Sequence, residues 1–217
     1  MKTEGKMKKI LLVTLFFAAV QATNAQGIVS LLQSVPDTIM ATIKPETKVA
    51  MADEAQRFGT GHGQTELETE VEAVLVTAEM ISYKIKDAAQ FDFIMLPSAQ
   101  KDVDSLICVV STVNVDNSEN ARYIPLSTVK FYDREWNYIG RQTFSVNDFV
   151  NLEELDEDSR KIVSTAELIF FNVSYLPHLQ SIKVECRFPI NTSDETRQLV
   201  NVLKPVMLKW NGTRFVR

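Results

Sequence analysis

Ile81-Ser82-Tyr83-Lys84-Ile85-Lys86-Asp87-Ala88-Ala89-Gln90-Phe91-Asp92-Phe93-Ile94-Met95-Leu96 is the stretch that decides the fold. Ile81, Tyr83 and Ile85 alternate with Ser82, Lys84 and Lys86, and Phe91, Phe93 and Met95 alternate with Asp92, Ile94 and Leu96. A side-chain period of two belongs to a strand, because successive Cβ atoms point to opposite faces of a sheet. Two such runs around Asp87-Ala88-Ala89-Gln90 predict an antiparallel pair.

Working outward, Leu106 to Val113 is a continuous apolar run rich in β-branched residues, the pattern of a central strand. Val129 to Tyr132 and Asn137 to Ile139 predict short strands on either side of Asp133-Arg134-Glu135-Trp136. Phe170 to Leu176 and Ser181 to Phe188 predict a hairpin around Pro177-His178-Leu179-Gln180. Val206 to Trp210 and Thr213 to Val216 flank Asn211-Gly212, a pair suited to the φ > 0 positions of a type I′ turn. Helix signals stand at both ends. Pro36-Asp37-Thr38 opens a short helix, and Pro45-Glu46-Thr47 opens another that runs to about Phe58, before the glycine cluster Gly59-Thr60-Gly61-His62-Gly63. The cluster reads as a flexible connector. A further helix starts in the acidic stretch Glu153 to Asp158, and Thr192-Ser193-Asp194-Glu195 is a capping box ahead of Leu199, Val200 and Leu203. The expected fold class is α+β: a mainly antiparallel sheet of about eight strands, with N-terminal helical segments and a C-terminal helix followed by a hairpin.

Residues 1–25 read as a secretory signal peptide. Lys8 and Lys9 precede the apolar run Ile10 to Val20, and Thr23-Asn24-Ala25 places small residues where a signal peptidase cuts, ahead of Gln26. The run is shorter than the ~20 residues that span a bilayer as a helix, so no membrane span is expected. Residues 26–217 are expected to form a single globular domain, located in the periplasm or outside the cell. Residues 1–25 carry four lysines and one glutamate, so the formal charge of −5 becomes −8 without them. An acidic chain with no basic run excludes a nucleic-acid partner.

Two cysteines, Cys108 and Cys186, allow either a disulfide in an oxidising compartment or two buried thiols. No metal site is expected from two Cys and two His without paired spacing, and no cofactor motif is present. Neither His62 nor His178 lies in a nucleophile context, and no Gly-x-Ser-x-Gly elbow occurs, so no catalytic residues are assigned. Glu66, Glu68, Glu70 and Glu72 are spaced by two and share one face if the segment is a strand, most simply a charged edge that resists aggregation. Phe131, Tyr132, Trp136 and Tyr138 cluster within eight residues. Aromatic cross-strand pairs hold hairpins together, and aromatic platforms also stack on sugars and peptides. Trp136, Tyr138 and Trp210 are the candidate ligand contacts. Together these features predict a non-catalytic binding or interaction module with a protein, peptide or carbohydrate partner. An envelope hydrolase using paired carboxylates, or a structural envelope component, is the alternative.

The leader ending Ala25-Gln26, Ser34-Val35-Pro36-Asp37-Thr38-Ile39-Met40, the pair Ile81 to Leu96, Phe131-Tyr132-Asp133 with Trp136, and the ending Leu203-Lys204-Pro205-Val206 to Lys209-Trp210-Asn211-Gly212-Thr213-Arg214-Phe215-Val216 resemble an exported Bacteroidales family of unknown function. The resemblance implies export and one domain, and supplies no catalytic residues. It also implies O-linked glycosylation at Asp, then Ser or Thr, then an apolar residue. Asp37-Thr38-Ile39 and Asp104-Ser105-Leu106 fit that pattern, with Thr38 and Ser105 as acceptors.

Overall fold

The computed structural model describes residues 27–101, 103–117, 122–150, 152–165, 169–187 and 203–217. The signal peptide and the helix expected from Thr192 lie outside these residues. Strands β1 (Thr60–Gln64), β2 (Glu70–Thr77), β3 (Met80–Ile85), β4 (Ala89–Pro97), β5 (Ser105–Asn117), β6 (Arg122–Tyr132) and β7 (Tyr138–Gln142) form a seven-stranded meander in which every neighbour is antiparallel. Strands β8 (Phe170–Leu176), β9 (Ser181–Arg187), β10 (Val206–Trp210) and β11 (Phe215–Val216) form a second antiparallel sheet, ordered β11-β10-β9-β8. Helices are few: a helical segment at 27–32, α1 (Pro45–Phe58), α2 (Glu157–Thr165) and short 3-10 turns.

This overturns the α+β expectation. The described protein is mostly β, with eleven strands in two sheets where one sheet of about eight was expected. The reason lies in the first sheet, which is apolar on both faces. Ile81, Tyr83, Phe93, Ile107 and Val109 point to one side, and Met80, Ile94, Leu96, Cys108 and Val110 to the other. The N-terminal segment and α1 cover the first side. Ile28, Leu32, Met40, Met51 and Ala55 pack there. The second side is covered by the hairpins β8–β9 and β10–β11, whose Val173, Ile182, Val184, Leu208 and Phe215 close a second core. Those hairpins therefore join each other as a separate layer instead of extending the meander.

α1 begins at Pro45 and stops at Gly59, which takes φ 87 as its left-handed C-cap. The glycine cluster after it is no connector. It is edge strand β1, and its glycines admit the helix. A Cβ on Gly61 would lie 2.1 Å from the Met51 carbonyl oxygen, and one on Gly63 would lie 2.6 Å from Met51 Sδ. Tyr83 Oη donates to the Lys48 carbonyl oxygen at 2.9 Å and ties α1 to β3, while the buried Lys48 Nζ pairs with Asp37 at 3.1 Å. On the outer rim, the Glu54 carboxylate accepts the His62 N–H at 2.9 Å.

The acidic run also resolves differently. Glu66 and Glu68 lie in the β1–β2 loop, and only Glu70 and Glu72 enter β2. Glu72 sits opposite His62 on β1 and Lys84 on β3, so the Lys84 ammonium offsets it in register. The last hairpin is wider than a type I′ turn. Trp210 pairs with Phe215, leaving a four-residue loop, and Asn211 Oδ1 accepts the Thr213 and Arg214 N–H groups at 3.0 and 2.9 Å. Asn211 acts through its side chain here, and only Gly212 takes positive φ, at 95°.

Candidate functional site

Because the meander alternates direction, the β2–β3, β4–β5 and β6–β7 connections all fall at one end of the first sheet. The β8–β9 and β10–β11 turns meet them there. Trp210 Nε1 donates to the Pro97 carbonyl oxygen at 2.6 Å, and Ala99 N–H to the Gly212 carbonyl oxygen at 2.9 Å. Gly212 is required at that approach, since a Cβ would lie 2.4 Å from Ala99 Cβ. Trp210 N–H donates to the Gln180 carbonyl oxygen at 2.9 Å, joining the two turns of the second sheet. In the β6–β7 turn, Asp133 accepts the Glu135 and Asn137 N–H groups at 3.0 and 2.8 Å. Trp136 follows with φ 64, an uncommon conformation for a bulky residue. Its indole Nε1 donates to the Leu31 carbonyl oxygen at 3.1 Å and to Ser34 Oγ at 3.2 Å. Those two bonds offset the strain and fasten the turn to the N-terminal segment.

Between these turns lies a cavity of about 370 Å³. Its polar walls are Glu79 from the β2–β3 turn, Asp104 from the β4–β5 connection, Arg134 from the β6–β7 turn and Gln180 from the β8–β9 turn. Met95, Leu96 and Pro97 supply an apolar wall, with Gly27 and Ser105 completing it. Among the described residues, none of the side chains of Glu79, Asp104, Arg134 and Gln180 makes a hydrogen bond or ion pair. A smaller cleft of about 150 Å³ shares Glu79 and is lined by Tyr175 and His178. Burial pushes the Tyr175 phenol up to about 12, with Cys108 and Glu79 adding to the shift. A second groove, about 450 Å³, lies over β1, β2 and β3 and carries His62, Glu70, Glu72, Lys84 and Lys86.

The sequence-derived candidates divide. Trp136 is 7% exposed, edge-on to Phe93 at 5.9 Å, and presents no open ring face. Tyr138, 57% exposed, stands on the same turn and touches Tyr132 at 5.9 Å. Phe131 faces the opposite core, against Trp210 and Phe215. Trp210 is half-buried under the loop end, and Ser105 lines the cavity. Thr38 is exposed in a turn beside Asp37. Cys108 on β5 and Cys186 on β9 are both free thiols, and burial raises both, Cys186 to about 12. Among the described residues there is no cluster of His, Cys, Asp and Glu able to hold a metal, and no helix long and apolar enough to cross a membrane.

Asp92 is the one buried carboxylate among the described residues. Ser82 Oγ donates to it at 2.6 Å and Gln90 Nε2 at 2.8 Å, and burial holds its carboxyl above the usual range. It does not line the loop-end cavity. Sequence reasoning missed Glu79, Arg134 and Gln180 as a group and read Asp104 only within the glycan pattern Asp104-Ser105-Leu106. The available signal was topological: alternate turns of a meander share one end.

The geometry defines a β-rich two-sheet protein with few helices and a polar cavity at its loop end. The chain belongs to the family described as "Protein of unknown function (DUF3256)", which it matches over residues 20–215. A solved structure described as a domain of an uncharacterized protein from Porphyromonas gingivalis W83 has a similar fold, with a TM-score of 0.68 at 18% identity, covering 88% of this chain and 97% of that one. No curated protein sequence matches the chain.

Proposed function

We propose that this protein is an exported, non-catalytic binding module of the cell envelope, and that its loop end is the binding surface. The observation that carries the reading is the convergence of four unengaged polar side chains, from four separate turns, on one cavity. Loops held by a rigid two-sheet body are the usual place for binding residues. Tyr138, at the end of the turn that carries Arg134, adds an exposed ring for a peptide or carbohydrate partner, and Trp210 braces the rim. Hydrolysis by paired acids has less support, because the one buried carboxylate described is bonded to Ser82 and Gln90 away from the cavity. Export is supported by the leader pattern of Lys8 to Ala25, with the expected cut before Gln26. Thr38, exposed in its turn, is the better of the two glycan acceptors; a native peptide covering it without added mass would reject that assignment.

The test is native mass spectrometry of the protein purified from its own envelope. A chain beginning at Gln26 with extra mass lost on denaturation, and lost in Arg134→Gln, is the expected result. Retention of that mass in Arg134→Gln would move the site elsewhere.

A further inference from the structure

We propose that the loop-end cavity selects a small zwitterion of amino-acid or dipeptide size, its ammonium toward Glu79 and Asp104 and its carboxylate toward Arg134. This rests on the reading of the loop end as the binding surface.

The charge arrangement carries the inference. Two carboxylates and one guanidinium line a single cavity, yet they form no ion pair with one another or with any other described residue. At the loop end each charge comes from a different turn and has no neighbour of opposite sign within ion-pair reach. A ligand with one sign of charge would meet a like charge somewhere on these walls. A ligand with both signs would find a complement for each of them among these walls.

The remaining walls fit the same class. Arg134 can hold a carboxylate through two parallel N–H bonds, which gives direction as well as charge. The Gln180 amide both donates and accepts, as a peptide bond requires of a partner. Met95, Leu96 and Pro97 offer apolar surface for a short side chain. A cavity of about 370 Å³ holds a dipeptide, whose extended backbone spans roughly 7 Å.

The experiment is an NMR titration of the isotope-labelled protein, residues 26–217, with three probes: alanyl-alanine, its N-acetyl form and its C-terminal amide. Alanyl-alanine is expected to shift loop-end amides saturably, and blocking either end is expected to weaken binding about tenfold or more. Arg134→Gln should abolish the preference for the free carboxylate over the amide. Glu79→Gln with Asp104→Asn should abolish the preference for the free amine. Unfolding midpoints should hold in both variants, because these side chains bond to nothing in the described fold. Equal binding of all three probes at the loop end overturns the zwitterion and leaves the binding surface standing. No binding of any probe also overturns it. In that case an envelope-derived ligand lost in Arg134→Gln would preserve the broader reading, and its retention would remove both.

Discussion

Replacing Trp136 with alanine separates its two sequence-derived roles, ligand contact and core. The indole is buried between Phe93 and Tyr132, with ring centroids 5.9 Å away in each case, and its Nε1 bonds to Leu31 and Ser34. Truncating a buried Trp to Ala costs about 3–5 kcal/mol, and loss of the indole hydrogen bonds adds about 1 kcal/mol. Alanine at φ 64 is also strained, so no relief of the backbone offsets the loss. Trp136→Ala should therefore lose about 4–6 kcal/mol, equivalent to ~10–20 °C in Tm for a chain of this size. Trp136→Phe should lose only about 1–2 kcal/mol. The Leu31 carbonyl oxygen keeps donors from Ser34 N–H at 3.2 Å and Ser34 Oγ at 3.1 Å. Urea unfolding followed by far-ultraviolet circular dichroism reads both, free of the fluorescence change. A Trp136→Ala variant within about 1 kcal/mol of the parent would refute the core assignment. Loss of bound mass well below the variant's midpoint would restore the ligand role.

Three more outcomes follow from the packing. Gly61→Ala drives a Cβ against the Met51 carbonyl, a backbone atom, and should lose about 1–3 kcal/mol in urea unfolding; unchanged stability would mean that α1 does not sit as described. Asp92 ionises later in the folded chain than in the unfolded one, because burial outweighs the pull of Ser82, Gln90 and Lys84. The folded state therefore binds the extra proton, and stability falls as pH rises from ~4 through the folded value. Urea midpoints across pH should show Asp92→Asn gaining on the parent over that window, and parallel profiles would reject the assignment. A disulfide reagent should leave Cys108 unlabelled in the native protein, label Cys186 slowly and label both after unfolding without reductant; a bridged chain would leave none to label.

The parts of the fold legible in the sequence are those where local pattern and tertiary demand agree. The β3–β4 pair announced itself by alternation, β5 by its unbroken apolar run, and α1 by proline at its start and glycine after its end. β1 was illegible because glycine disfavours strands, and its glycines answer to Met51 on another element. The division into two sheets was equally hidden. The spacing of Ile182 and Val184 shows that one face of β9 is buried, but not which surface buries it. The aromatic cluster misled for a similar reason: the β6–β7 turn sends Trp136 inward and leaves Tyr138 outside. The cavity takes Glu79, Asp104, Arg134 and Gln180 from four separate turns, and no short window of sequence contains more than one of these four.

The bond from the Trp136 indole to Leu31 spans 105 residues of chain, and that from Trp210 to Pro97 spans 113. Both fasteners must wait for distant segments, so the barrier to folding carries a large loop-closure cost. During synthesis, the segment beginning at Gly27 has no indole to dock against until the β6–β7 turn has emerged. For that interval Ile28, Leu31 and Leu32 stay open to a chaperone, and the delay is set by the chain's own connectivity.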